Sequence, residues 1–141
     1  MEKWKLFALI SMFFAGLTSV IAKFGMNNLS SDVALGIRTA VVFGIVTVNA
    51  FLIHDAFAQI RQAPKMNLLY LTISGITTSL SWIFYYRAIK EGQVSYVASI
   101  DKASILVTLL LSFLLLKEPV TAKVLTGAAF ILVGMVILVW K

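Results

Sequence analysis

Asp101 and Lys102 stand side by side within VSYVASIDKASILVTLLLSFLLL, an apolar run from Val94 to Leu116, and are the residues of this chain best placed to do chemistry. A charge near the middle of a membrane helix costs at least about 2.5 to 3.5 kcal/mol on insertion scales, so an ionisable group there is first of all a functional candidate. Asp101 is the only acidic residue deep within any predicted span. Successive helical residues point about 100° apart, so Asp101 and Lys102 are each expected to seek a partner elsewhere. Three more cations enter apolar segments: Lys23 about one turn from the end of the first, Arg38 about one and a half turns into the second, and Arg87 near the end of the third. All three approach the membrane face from which Asp101 and Lys102 lie roughly 10 to 12 Å deep, at about 1.5 Å per residue. Lys23, Arg38, Arg87 and Lys102 against Asp101 leave an excess of positive charge. That excess suits an anionic or zwitterionic solute, or a water-filled vestibule. The competing readings are that Lys23 and Arg87 snorkel to headgroups, and that Arg38, Asp101 and Lys102 form a purely structural ion network.

A polar stripe accompanies these charges. Ser74, Thr78, Ser81 and Tyr85 recur at three- and four-residue intervals and so share one helix face. The stripe could line a cavity, with Ser81 and Tyr85 nearest the charged end. The alternative is helix packing, because Gly75 and Ser79 make a small-xxx-small pattern and hydroxyls bond across membrane helices. Trp82, Tyr86 and Tyr96 fit an interfacial aromatic belt.

The elements that must carry these residues follow from composition. Hydrophobic residues make up 60% of the chain and charged ones 13%, too few charges to cover a soluble globule. An all-α integral membrane protein is expected. The net charge of +6 does not point to nucleic acid, because Lys and Arg sit at span ends and inside spans instead of in one patch. Without cysteine there is neither a disulfide framework nor a thiolate metal site, and His54 lacks neighbouring ligands, so it reads as an interfacial residue. No metal or cofactor is expected. No nucleophile, acid pair or phosphate-cradling glycine loop suggests an enzyme.

A bilayer core takes about 20 mostly apolar residues per helix. Five segments reach that length, near 5–26, 33–53, 68–89, 94–116 and 122–140, in a single domain over 1–141. The first could be taken for a signal peptide behind Lys3 and Lys5, but it continues past Ala22 and is expected to be a retained helix. Ser30, Ser31 and Asp32 offer N-caps to the second span, Gly92 a C-terminal cap to the third, and Thr121 an N-cap to the fifth after Pro119 stops the fourth. Gly127 and Gly134 offer small surfaces for close helix approach. The longest connection, from His54 to Met66, is expected at the interface.

Lys3, Lys5, Arg61, Lys65, Lys117 and Lys123 flank spans on the N-terminal side, against Arg87, Lys90 and Lys141 on the other. Flanking charges thus favour a cytoplasmic N-terminus. Adding Lys23, Arg38 and Lys102 to the second face equalises the two sides, which accords with insertion in both orientations.

The stretch YYRAIKEGQVSYVASIDKASILVTLLLSFLLLKEPVTAKVLTGAAFILVGMVIL resembles the EamA family of the drug/metabolite transporter superfamily, and AGLTSVIAKFGMNNLSSDVALGIRT is similar to the opening helices of its small single-repeat members. The KEP turn and the long IDKASILVTLLLSFLLL helix carry the likeness. Ser99 departs from it, standing where many relatives have proline. The resemblance implies a five-helix unit, one half of an inverted-repeat ten-helix transporter around a central pathway, and alternating access by rocking one half against the other. Five helices make a thin shell around a pathway, so an antiparallel homodimer in the cell membrane is the expected assembly. The expected function is secondary transport of a small metabolite, with Asp101, Lys102 and Arg38 on the solute or coupling-ion route. The alternative is a non-transporting membrane subunit, or half of a hetero-oligomeric transporter, whose charges pair with another protein's helices. Co-purification separates the two.

Overall fold

A computed structural model of the chain describes residues 2–53 and 55–140, the side chain of Ile53 excepted. His54 and Lys141 lie outside the described residues. Every described element is helical: α1 (Lys3–Gly25), α2 (Ser31–Ile53), α3 (Ala56–Gln62), α4 (Lys65–Glu91), α5 (Val94–Lys102), α6 (Ser104–Leu111), a π-helical turn (Ser112–Leu116) and α7 (Ala122–Val139). Hydrocarbon offers no partner to a backbone N–H or C=O, so segments this apolar satisfy their amides internally as helices. Five stretches are long and apolar enough to cross a membrane: α1, α2, α4, the run Val94–Leu116, and α7.

Local chemistry sets the boundaries. Ser30 Oγ accepts the Val33 N–H at 3.3 Å and opens α2, while Thr121 Oγ1 accepts the Val124 N–H at 3.3 Å and opens α7. Both satisfy first-turn donors that have no partner within the helix. The connection after α2 is not irregular throughout: Asp55 accepts the Ala58 N–H at 3.4 Å and caps the short α3. Phe57 of α3 then rests against Phe51 of α2, ring centres 4.8 Å apart.

Three expectations are refined. No described glycine has a positive φ, so Gly92 follows α4 without the left-handed backbone in which a glycine commonly caps a helix. Pro119 does not stop the fourth span alone, because that span ends earlier in the π-helical turn, closed by Lys117 at φ 55°. There Ser112 donates its hydroxyl to the Glu118 carboxylate, and the Glu118 N–H reaches Ser112 O at 3.4 Å. Nor do the small residues bring helices together inside their own units, since a Cβ added at Gly75, Gly127 or Gly134 would meet nothing within 4 Å there.

The fourth span is also interrupted midway. Ala103 donates its N–H to Ile100 O at 2.9 Å, and Leu106 to Ala103 O at 2.9 Å. Both bonds reach back three residues, the tighter 3₁₀ pattern, so α5 and α6 are separate helices within one span. Neither glycine nor proline marks this step. Ser99 donates back to Ser95 O at 2.7 Å one turn before it, a bond that often bends helices.

The chain divides into two compact units, residues 1–90 and 91–141. In the first, the buried apolar side chains are Met26, Leu35, Tyr86 and Ile89, contributed by the residue after α1, the start of α2 and the end of α4. Packing in that unit is therefore concentrated where α1 and α4 end and α2 begins.

Candidate functional site

Within the first unit, α1 and α4 finish beside each other and each sends a lysine to the other's end. Lys23 donates to Ile89 O at 2.6 Å and Lys90 O at 3.1 Å. Lys90 donates to Met26 O at 2.5 Å and Asn27 O at 3.5 Å. The last carbonyls of a helix have no intrahelical partner and carry the negative end of its dipole, so an ammonium there is doubly favourable. The two lysines thus form a crossed clasp over the buried Met26 and Ile89. Lys23 is engaged in holding helix ends.

Arg87 faces α2 instead. Its Nε and Nη2 reach the two carboxylate oxygens of Asp32, each at 3.2 Å, a bidentate fork with both side chains about half exposed. Tyr85 reaches α1, its hydroxyl 2.7 Å from Ser19 Oγ. Ser81, one turn earlier, is exposed. Thr78 of the stripe serves its own helix, donating to Ser74 O, as do the neighbouring Thr77, which donates to the same carbonyl, and Ser79, which donates to Gly75 O.

Arg38 is held differently from these neighbours. Its guanidinium carbon lies 4.3 Å from the centre of the Trp82 ring and 5.8 Å from that of Tyr86, so two aromatic faces of α4 attract the cation. Its Nη1 is buried with no hydrogen-bond partner. Arg38 and Tyr86 line a cavity of about 330 Å³ whose wall is otherwise mostly apolar, including Ile21, Ala22, Leu29 and Ile37. Asp32, Trp82 and Arg87 line a second cavity of about 480 Å³.

The first unit therefore brings Lys23, Arg38, Arg87 and Tyr85 to one end of three helices and gives each a different role. Trp82 and Tyr86 belong to the site as the rings that hold Arg38, whereas the sequence reads them as an interfacial belt. Their four-residue spacing on one helix face, opposite a lone arginine, was the available signal. Lys90 and Asp32 were legible only as a flanking charge and a cap.

In the second unit, Asp101 and Lys102 are paired with each other, contrary to the expectation from helix geometry: Lys102 Nζ lies 3.6 Å from Asp101 Oδ2. The helix ends at Lys102 and tightens at Ala103, and a long lysine side chain spans the angular gap that separates neighbouring Cβ atoms. The contact is an ion pair at the limit of such pairing, with Lys102 69% and Asp101 35% exposed. Both residues sit at the discontinuity in their span, with Lys102 in the last turn of α5.

Among the described residues, no cluster of three or more His, Cys, Asp or Glu side chains could hold a metal ion. What the sites offer is electrostatic recognition within apolar walls. The EamA-like transporter family model matches residues 2–140. An uncharacterized transporter in cobO 3'region of Sinorhizobium sp is 34% identical over 137 residues, spanning 97% of this chain and 96% of that protein. No solved structure matches the chain. The match over nearly all of the chain, together with the five apolar helices, makes this protein a member of the EamA-like transporter family.

Proposed function

We propose that this chain is a secondary transporter of a small metabolite that works by alternating access as an antiparallel homodimer in the cell membrane. The observation that carries the reading is Arg38, a cationic side chain with a buried, unpartnered nitrogen, on the wall of an apolar cavity of solute size. A purely structural cation has its buried donors engaged, as Nε and Nη2 of Arg87 are by Asp32. The family and the relative's name support transport over catalysis. Asp101 and Lys102 form the coupling element. They lie where the fourth span is broken, and broken helices are where transporters of inverted-repeat design place solute and ion sites. Two copies in opposite orientations supply the ten spans of larger relatives, and the near-equal cation counts on the two faces allow both insertions. The first orientation has a cytoplasmic N-terminus.

The test is uptake from a mixed metabolite pool into proteoliposomes, read by mass spectrometry, for the wild type and for Arg38→Met. At least one solute should accumulate with the wild type and not with the variant. Cysteines placed at positions 2 and 141 should each label from both sides of the membrane. Labelling from one side throughout the population sinks the antiparallel assembly, and obligatory co-purification of a different membrane protein favours a subunit role.

A further inference from the structure

We infer that the cavity beside Arg38 takes a small monocarboxylate with an apolar body, a proposal that rests on the reading of this cavity as the solute site and names the class of solute. Three observations define that class. The first is charge: Arg38 is the cation of the cavity wall, and no Asp or Glu lines it. The nearby acid of α2, Asp32, is already held by both arms of Arg87. An anion therefore meets a cation, whereas an ammonium group meets no countercharge. The second is polarity. Thr18 also lines the cavity, but its hydroxyl donates to Phe14 O at 2.8 Å, so it turns only acceptor lone pairs toward a solute. Arg38 and Tyr86 remain as the described lining residues with side-chain donors for a carboxylate, and the others are apolar, which favours a hydrocarbon body over a sugar or a second acid.

The third is size. A volume of about 330 Å³ lies at the small end of the roughly 300 to 1,000 Å³ of ligand pockets. A carboxylate on a chain of five or six carbons fits that space. Carboxylate and guanidinium form a charge-assisted pair, strengthened where water is excluded. Nη1 is itself shielded, so full bidentate engagement requires the guanidinium to turn out from the Trp82 face, to which its carbon now lies 4.3 Å away. Binding should therefore be visible at Trp82.

The chain contains Trp4, Trp82 and Trp140. Trp4→Phe with Trp140→Phe leaves Trp82 as the reporter without touching the cavity. This variant is placed in phosphatidylcholine nanodiscs and titrated with hexanoate, hexanamide and 2-aminohexanoate, which share a tail and differ in charge. Hexanoate should change Trp82 emission saturably, with the amide and the amino acid each roughly tenfold or more weaker, the scale of one charge-assisted hydrogen bond. Arg38→Met should weaken hexanoate binding by roughly 10- to 100-fold on the same scale. Arg38→Lys should retain part of it.

Equal binding of the three probes, no binding of hexanoate, or undiminished binding by Arg38→Met overturns the proposal. A Trp82 change that follows added phosphatidylglycerol and is insensitive to hexanoate assigns the cation to a lipid headgroup, and also overturns it. Arg38→Met removes an incompletely satisfied buried charge but forfeits its contacts with Trp82 and Tyr86, so its melting temperature should fall by at most a few degrees. A drop of many degrees would identify Arg38 as structural and count against the site. Failure of hexanoate alongside Arg38-dependent transport of another solute rejects the solute class and leaves the transport function standing.

Discussion

Lys23→Met separates the crossed clasp from a place on a solute route. Methionine keeps the length and apolar stem of lysine and removes only the ammonium. The bonds lost include those at 2.6 and 3.1 Å to the carbonyls of Ile89 and Lys90. A hydrogen bond involving a charged group contributes roughly 1.5 to 3 kcal/mol net, and a cation at a helix C-terminus about 0.3 to 1 kcal/mol. Lys23 is only partly buried, so water can replace part of the loss, and about 2 kcal/mol is the expected cost. At the roughly 2 to 4 °C per kcal/mol of chains near this size, the melting temperature in detergent should fall by about 4 to 8 °C. Lys90→Met should behave similarly. The double variant should depart from additivity by at least about 0.5 kcal/mol, because the two lysines secure the same pair of helix ends. Thermal unfolding and uptake are measured on the same preparations. An unchanged melting temperature with lost uptake would refute the clasp and return Lys23 to the pathway.

Asp101→Asn should change uptake or its pH dependence more than folding, since the pair with Lys102 is loose at 3.6 Å and an intramembrane carboxylate is first a functional group. Uptake with unchanged rate, affinity and pH response in a proteoliposome pH series would remove Asp101 from coupling. Arg87→Gln breaks a fork whose two side chains are about half exposed, and should cost about 1 kcal/mol or less by thermal unfolding. Ser112→Ala removes the hydroxyl that binds Glu118 at the end of the fourth span and should destabilise by about 1 kcal/mol. If Glu118→Gln then costs as much on the Ser112→Ala background as on the wild type, Ser112 and Glu118 do not act together.

The five spans were legible because apolar length alone dictates a helix where lipid cannot satisfy the backbone. Ser30 and Thr121 were legible as caps because a hydroxyl just before a helical run has a first-turn N–H within reach. The clasp was not, since Lys23 and Lys90 bind main-chain carbonyls of a distant helix end, and no residue type marks an acceptor that every residue carries. The step at Ala103 was hidden for a related reason: it lies in Asp-Lys-Ala-Ser, without the glycine or proline that announces a break. The Asp101 and Lys102 pairing was misjudged by treating both side chains as rigid spokes at helical angles, where lysine has four methylenes with which to bend back. Arg38 was singled out as a charge, but its aromatic setting emerges only when α2 and α4 are laid together.

The concentration of burial at Met26, Leu35, Tyr86 and Ile89 sets how substitutions will be tolerated along the first unit. Hydrocarbon tails are as apolar as leucine, so an outward side chain such as Phe43, Leu52 or Leu71 gains little from its particular shape. In a saturation mutagenesis library, those positions should accept one apolar residue for another and reject charge, a selection on hydropathy alone. At the four buried positions shape matters as well, and even conservative exchanges should be depleted. The permissive and exacting positions will then fall at opposite ends of the same helices, so α4 should read as interchangeable near Leu69 and Leu71 and as specified residue by residue near Tyr86 and Ile89.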